Sequence, residues 1–590
     1  MTKQDKLILA LLTLGAGGLY AWGLARGGGH FYYSAAARTM GSDWQAFLLG
    51  AFDPARSITI DKAAGGLWAQ ALSVRLLGFH TWTLLLPGAL AATATVPLLY
   101  GAVRRWAGTA AAAIAGVVFV LSPVTFAAMR VNLADSVLVC GLAAAAYLVT
   151  RAFDDDRFRW PLAAAVLVGV AFQVKMIEAW LVLPALTAGL LVRRRFAHAA
   201  AFAAIAVAAS LSWLTVVSLI PPGERPFVDG STANSYWQLV FGYNGIGRTG
   251  GEGSALAATA APYGGAPGPF RLFNDQLGGQ IGWLLPLALV ILAACWWPNR
   301  RDPGWALWGT WLVTVVAVFS TIGGLHPYYA TLAVPALAAV IGAGVHATWR
   351  RGWVFPAGIV LSATVAAVVT ARVGMGWLTG SVIGLAAVAL ALWRAGRRPA
   401  VLLAAAAALL GPFTWIAVTP PVPRNSMHTA NPVAGPQTAE AVFGNPDPRI
   451  TLARILGIPP TGPTPPIDAP LPGADLDPDL LSYLRSHWHG ERYLFATGDA
   501  ATASPYIADG LSVLPIGGFT GFSPYPTDSD VATFVHTGQL RYLYLVAVPG
   551  LPDVLGRRAD WATRHCRAVP PADHGAAANG MTLFDCTDAR

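Results

Sequence analysis

Asp61 and Lys62 set a carboxylate beside a primary amine, and Asp53 lies a short way upstream in a Phe-Asp-Pro triplet. Further polar groups recur along the chain: Arg130, Asn132 and Asp135; Lys175 and Glu178; Tyr243, Asn244 and Arg248; and His326, Tyr328 and Tyr329. Cations of this kind can hold a phosphate, arginine as a fork and lysine as a point charge. A carboxylate nearby can take a proton from an incoming hydroxyl. Each group also has an ordinary structural reading. Asp135 can cap a helix and Asp53 the turn at Pro54. Lys62 and Lys175 can snorkel to a membrane interface, and Tyr328 and Tyr329 can belong to an aromatic belt.

The segments that must position these residues are apolar. Of 590 residues, 55% are hydrophobic and only 12% are charged. Thirteen stretches have membrane-spanning length, at 7–24, 81–103, 109–128, 134–152, 159–175, 177–192, 198–220, 277–297, 304–324, 328–348, 353–371, 376–394 and 399–418. A crossing needs roughly 20 mostly apolar helical residues, because unpaired backbone groups are costly in lipid. The fold class expected is a polytopic α-helical membrane protein. Arginine-rich turns occur at 104–105, 157–159, 193–195, 300–301, 350–351 and 394–398. With thirteen crossings all six fall on the side of Lys3 and Lys6, which the retention of basic residues makes cytoplasmic. The net charge of +9 then reports topology and not nucleic-acid binding. The polar clusters lie at the opposite, extracytoplasmic ends of the spans, where buried charge is costly and marks function.

Residues 1–418 form the expected membrane domain, with two long outer loops at 25–80 and 221–276. The first reads as two amphipathic helices along the membrane surface. Loops as long as the second are functional or disordered. Residues 419–474, rich in proline, read as a linker, and 475–590 as an extracytoplasmic domain of alternating helices and strands. Cys140 and Cys295 fall within spans as apolar filler, whereas Cys566 and Cys586 lie in the outer domain. An oxidising compartment predicts a disulfide between the latter two.

The run HFYYSAAARTM, followed by FDPARSITIDKAAGGLW, resembles the first outer loop of bacterial family 39 glycosyltransferases. RVNLADSVLV, GVAFQVKM, GSTANSYWQLVFGYNGIGRTGG and HPYYATLAVPALAA extend the resemblance, as do YLFATGDAATASPYI and PIGGFTGFSPYPT in the outer domain. It covers nearly the whole chain and is similar to the branch with a soluble C-terminal outer domain. The wider superfamily includes protein O-mannosyltransferases and lipid A aminoarabinose transferases. The resemblance implies the C-type glycosyltransferase fold and a polyprenyl-phosphate sugar, mannose- or arabinose-like, as donor.

Under this resemblance Asp61-Lys62 matches the acid-lysine pair beside the lipid phosphate, and Asp53 the acid of Phe-Asp-Pro. Asn132 and Asp135 match the motif at the fourth span, Lys175 the lysine of Thr-Lys-Met, and 326–329 an intact His-Pro-Tyr-Tyr. The chain differs at Ala63 and Ala64, where the family has prolines, at Gln173-Val174, and at His30, where many members have an acid. Asp53 and Asp61 are the two base candidates, with Asp53 favoured because a cation adjoins Asp61 and a paired acid is a poorer base. Lys62, Arg130, Asn132, Asp135, Lys175, Asn244, Arg248, His326, Tyr328 and Tyr329 are expected around the donor phosphate.

The implied activity is transfer of the sugar to a hydroxyl of a cell-envelope glycan, lipid or protein at the plasma membrane. The enzyme that makes the donor is a candidate partner, and no nucleic-acid partner is expected. A divalent metal is neither required nor excluded by the residues. Two other readings use the same cavity: a flippase for a lipid-linked sugar, and a glycan-binding homologue without activity. Transporters commonly carry internal repeats, and no repeat is visible in this sequence.

Overall fold

The computed structural model describes residues 1–155, 157–249, 263–348, 352–423, 426–438, 441–442, 475–519, 521, 523–546, 553–575 and 581–587. The chain opens with α1 (Lys3–Ala25), then α2 (Phe31–Ser42), α3 (Trp44–Leu49) and α4 (Gly65–Leu77). It continues with α5 (Thr81–Val120), α6 (Pro123–Met129), α7 (Asp135–Asp154) and α8 (Arg159–Lys175). Among the described residues, nine helices are long and apolar enough to cross a membrane. Helix length by itself does not confirm the expected thirteen spans. The range of α5 holds two helices that meet at Gly108, whose φ of 89° and ψ of 177° break the helix between expected spans 81–103 and 109–128. α8 stops after 17 residues, and 177–192 divides into Ile177–Trp180 and Leu183–Val192. The stretch at 277–297 begins as a π-helical turn and leaves only Leu285–Cys295 as regular helix.

The first outer loop departs from two helices lying on a membrane surface. α2 is buried almost throughout and packs between α4 and the helix Ala500–Ala508 of the C-terminal domain. Its tyrosines therefore face protein. The described part of the linker is also packed in, with Thr419, Ser426, Thr429 and Asn431 fully buried. The rest of the linker lies outside the described residues.

The C-terminal domain is a small α/β layer. Its strands are β1 (Phe495–Thr497), β2 (Val513–Pro515), β3 (Tyr542–Val546), β4 (Arg567–Ala568) and β5 (Met581–Asp585), in the spatial order β2-β1-β3-β5-β4. β1 is parallel to both β2 and β3, and β5 is antiparallel to β3 and β4. The helices Ala500–Ala508 and Asp528–His536 supply the crossovers, each started by a side-chain cap, from Asp499 and Thr527. Cys566, just before β4, is disulfide-bonded to Cys586, just after β5. Arg541 at the start of β3 pairs with Asp585 at the end of β5 at 2.8 Å. Two adjacent fastenings thus hold the antiparallel edge.

Candidate functional site

Asp61 and Lys62 sit in the turn before α4 and are the centre of a dense polar cluster. Lys62 Nζ lies 2.6 Å from Asp61 Oδ2 and donates to Asn244 Oδ1 at 2.9 Å. The Tyr33 and Tyr243 hydroxyls donate to the two Asp61 oxygens at 3.4 and 3.2 Å. The backbone is fixed as well, since Asp61 N–H donates to Tyr32 Oη at 3.0 Å and Asn244 Nδ2 donates to the Asp61 carbonyl at 2.9 Å. The Lys62 ammonium also lies 5.2 Å from the centre of the Tyr243 ring. The Asp61 side chain is only 3% exposed, against 17% for Lys62. The Lys62 side chain is the more exposed member of the pair.

A second cluster joins the ends of two spans. Lys175 Nζ lies 2.5 Å from Asp135 Oδ1 and 2.8 Å from Glu178 Oε2, and stands 3.8 Å from the centre of the Tyr329 ring. Asp135 opens α7 and Lys175 closes α8, so the pair ties two packed helices together. Met176 follows with φ 50°, an uncommon conformation for a bulky side chain. It turns the chain sharply after Lys175. The Lys175 ammonium does not snorkel to an interface, because two carboxylates and an aromatic face enclose it. Tyr328 and Tyr329 are buried and so form no exposed belt.

The two clusters are neighbours. A Cβ at Gly65 would stand 2.5 Å from the Gln173 carbonyl oxygen, so the turn carrying Lys62 rests directly on the end of α8. Tyr33 interacts electrostatically with both Asp61 and Tyr329. His326 stacks on Tyr263 and Tyr328 with ring centres 4.4 and 5.1 Å apart, and its Nδ1 is 3.1 Å from Asn431 Oδ1.

Several expected residues have other engagements. Asp53 is wholly buried, and its carboxylate accepts from Ser57 N–H and Oγ–H and from Ile58 N–H. It closes its own turn, while burial pushes its carboxyl up to about 6. This geometry reverses the preference between the two acids. Asn132 accepts the His30 backbone N–H at 2.6 Å, and burial holds the His30 imidazole down at about 3, hence neutral. Arg130 donates to the carbonyls of Arg26 and Pro420 and borders a cavity of about 160 Å³ shared with Pro421, His428 and Gln437. The Arg248 side chain lies outside the described residues.

Sequence reasoning passed over Tyr32, Tyr33 and Asp229. Both tyrosines lie in the first outer loop, and only the tertiary fold shows their hydroxyls on Asp61. Asp229 is 2% exposed. Among the described residues no three His, Cys, Asp or Glu side chains converge in a way that could hold a metal.

Comparison with known proteins agrees with this architecture. Residues 61–218 match the family described as "Dolichyl-phosphate-mannose-protein mannosyltransferase", and residues 480–564 match "Putative mannosyltransferase YkcB-like, C-terminal". Two Bacillus subtilis (strain 168) proteins described as putative mannosyltransferases, YycA and YkcB, are each 28% identical to this chain. The YycA alignment covers 92% of both chains, and the YkcB alignment 87% of this chain and 84% of the relative. The crystal structure of ArnT from Cupriavidus metallidurans bound to undecaprenyl phosphate superposes with a TM-score of 0.58 at 16% identity. That superposition covers 98% of this chain and 97% of ArnT. The fold is the C-type glycosyltransferase fold.

Proposed function

Because the chain belongs to glycosyltransferase family 39, with a YkcB-like C-terminal domain, we propose that this membrane glycosyltransferase moves a sugar from a polyprenyl phosphate to a cell-envelope hydroxyl. The observation that carries the reading is the Asp61–Lys62 pair with its tyrosine and asparagine partners. The undecaprenyl phosphate bound in the ArnT crystal structure and the mannosyltransferase descriptions of the relatives support this donor class, with mannose as the sugar to test first.

In the proposed reaction the bond between the anomeric carbon and the phosphate oxygen breaks, and that carbon bonds to the acceptor oxygen. Lys62 carries the negative charge gathering on the departing phosphate, a charge-assisted contact in a site shielded from bulk water. Tyr33 and Tyr243 have hydroxyls able to donate to the same oxygens. The acceptor proton passes to Asp61. The two roles are coupled: when Lys62 turns to the phosphate, Asp61 loses its cation and becomes a stronger base. Lys175 is a poorer phosphate ligand, since two carboxylates already oppose its single charge.

The N-terminus is proposed to be cytoplasmic, with the outer loops and the C-terminal domain on the far face of the plasma membrane. The alternating arginine turns and the docking of that domain on both loops support this arrangement. Purified protein given a synthetic polyprenyl-phosphate mannose and an envelope acceptor should release polyprenyl phosphate. Absence of release, together with accumulation of no lipid-linked sugar in a deletion strain, would refute the reading.

A further inference from the structure

The C-terminal domain touches the candidate site itself. Phe519 packs on Tyr32 and Tyr525 on Phe227. Asp229, in the second outer loop, makes the junction. Its N–H donates to Thr59 Oγ1 at 3.0 Å, its Oδ1 accepts from Gly230 N–H, and its Oδ2 accepts from Phe519 N–H at 2.8 Å. Thr59 N–H in turn donates to the Phe227 carbonyl, so residues 57–59 and 227–229 form a short ladder. Gly518 adopts φ +67°, and a Cβ there would strike the Asp229 carboxylate. Only glycine gives that approach without strain.

The bond from Asp229 sets Phe519 against Tyr32. Their ring centres are 4.6 Å apart, and Phe52 stacks on Tyr32 with its ring centre also at 4.6 Å. Tyr32 is fully buried, and its hydroxyl accepts the Asp61 N–H. A continuous path therefore runs from the outer domain through Phe519 and Tyr32 to the backbone of the candidate base. Buried carboxylates are costly unless hydrogen-bonded, and part of the compensation for Asp229 comes from the outer domain's own backbone.

We propose that the C-terminal domain completes the transfer site, with Asp229 and Phe519 as positioning residues that hold Tyr32, and through it the Asp61–Lys62 turn, in register. This rests on the assignment of that turn to the reaction. Other contacts between the domains serve as controls. Arg492 donates to the Ala55 carbonyl at 2.8 Å, and Tyr525 stacks on Phe227 at 5.0 Å. Among the described residues, the hydrogen bonds and ring contacts of these two side chains go to neither Tyr32 nor Asp61.

The test uses the full-length chain with two readouts, amide hydrogen exchange over residues 57–62 and steady-state transfer from a synthetic polyprenyl-phosphate mannose. Loss of one buried aromatic contact corresponds to about a three- to ten-fold effect. Phe519→Ala is expected to raise exchange over 57–62 and lower kcat by that factor, with donor KM within about two-fold. Phe519→Tyr should restore both readouts, and Arg492→Ala should leave both near wild type. Phe519→Leu keeps the bulk without the ring and replaces the alanine variant if that one does not fold. Unchanged exchange and unchanged kcat in the Phe519 variants would overturn the proposal. So would an equal loss in Arg492→Ala, since the domain would then act as general adhesion. If wild-type protein transfers no sugar, the assignment of the reaction fails, while exchange over 57–62 still decides whether Phe519 orders the turn.

Discussion

Two lysine–carboxylate clusters stand side by side here, and their surroundings give them different work. At Asp61–Lys62 the partners among the described residues are one carboxylate, an amide and phenol groups, and the Lys62 side chain is partly exposed. At Lys175 one cation meets two acids within 2.8 Å, and its side chain is only 10% exposed. The first can exchange its partner for an incoming anion. The second is already over-neutralised and holds α7 to α8. Residue type alone does not separate them; among the described residues, the carboxylates each lysine meets and the exposure of its side chain do.

The largest effect should come from breaking the second cluster. Lys175→Ala takes away the cation paired with the buried Asp135, and breaking a buried pair in this way costs about 3–5 kcal/mol. Folded yield and Tm in detergent should fall sharply. A Lys175→Ala protein with normal Tm and selectively weakened donor binding would instead move the phosphate site there.

Lys62→Ala should show the opposite pattern. Loss of a charge-assisted contact of about 1.5–3 kcal/mol corresponds to a ten- to hundred-fold lower kcat/KM for donor. Its Tm should stay close to wild type. Between the two acids, Asp61→Asn should remove turnover while leaving undecaprenyl phosphate binding measurable. Asp53→Asn should chiefly reduce stability, because it perturbs the turn that Ser57 and Ile58 close. Equal turnover in both variants would remove Asp61 from the role of base.

A smaller effect concerns pH. Burial pushes the Asp229 carboxyl up to about 7 from an ordinary value of 3.8, with Asp61 adding to the rise and Lys62 opposing it. The folded state thus holds this proton more tightly than the unfolded chain. The associated stability is complete below about pH 4 and is lost as pH rises through 7. Asp53 behaves likewise up to about 6. Thermal melts of wild type should therefore decline from pH 4 to 7, and Asp229→Asn should flatten the decline. An identical profile in the variant would leave Asp53 as its source.

Much of this arrangement was legible in the sequence because it is local. Apolar stretches and capped helices announce most elements, including the alternation of helices and strands after residue 475. The span count was less legible. Met176 turns the chain by its backbone conformation, and the π-turn at 278–282 shortens a helix without changing its hydropathy. Asp61, Lys62, Tyr243 and Asn244 stand out as residue types, but their partner Tyr33 is not separable from an apolar helix face. Asp229 and Phe519 lie 290 residues apart, and no local pattern links them. Asp53 resembles a base by motif, and only the fold shows its carboxylate accepting from Ser57 and Ile58 within its own turn.

The most direct measurement follows release of polyprenyl phosphate from a labelled polyprenyl-phosphate mannose by the reconstituted full-length chain, wild type beside Lys62→Ala. Wild type should release the lipid phosphate when an envelope acceptor is present, and Lys62→Ala should do so about ten- to hundred-fold less efficiently at unchanged Tm. Equal release by the two proteins would contradict a donor phosphate held at Lys62.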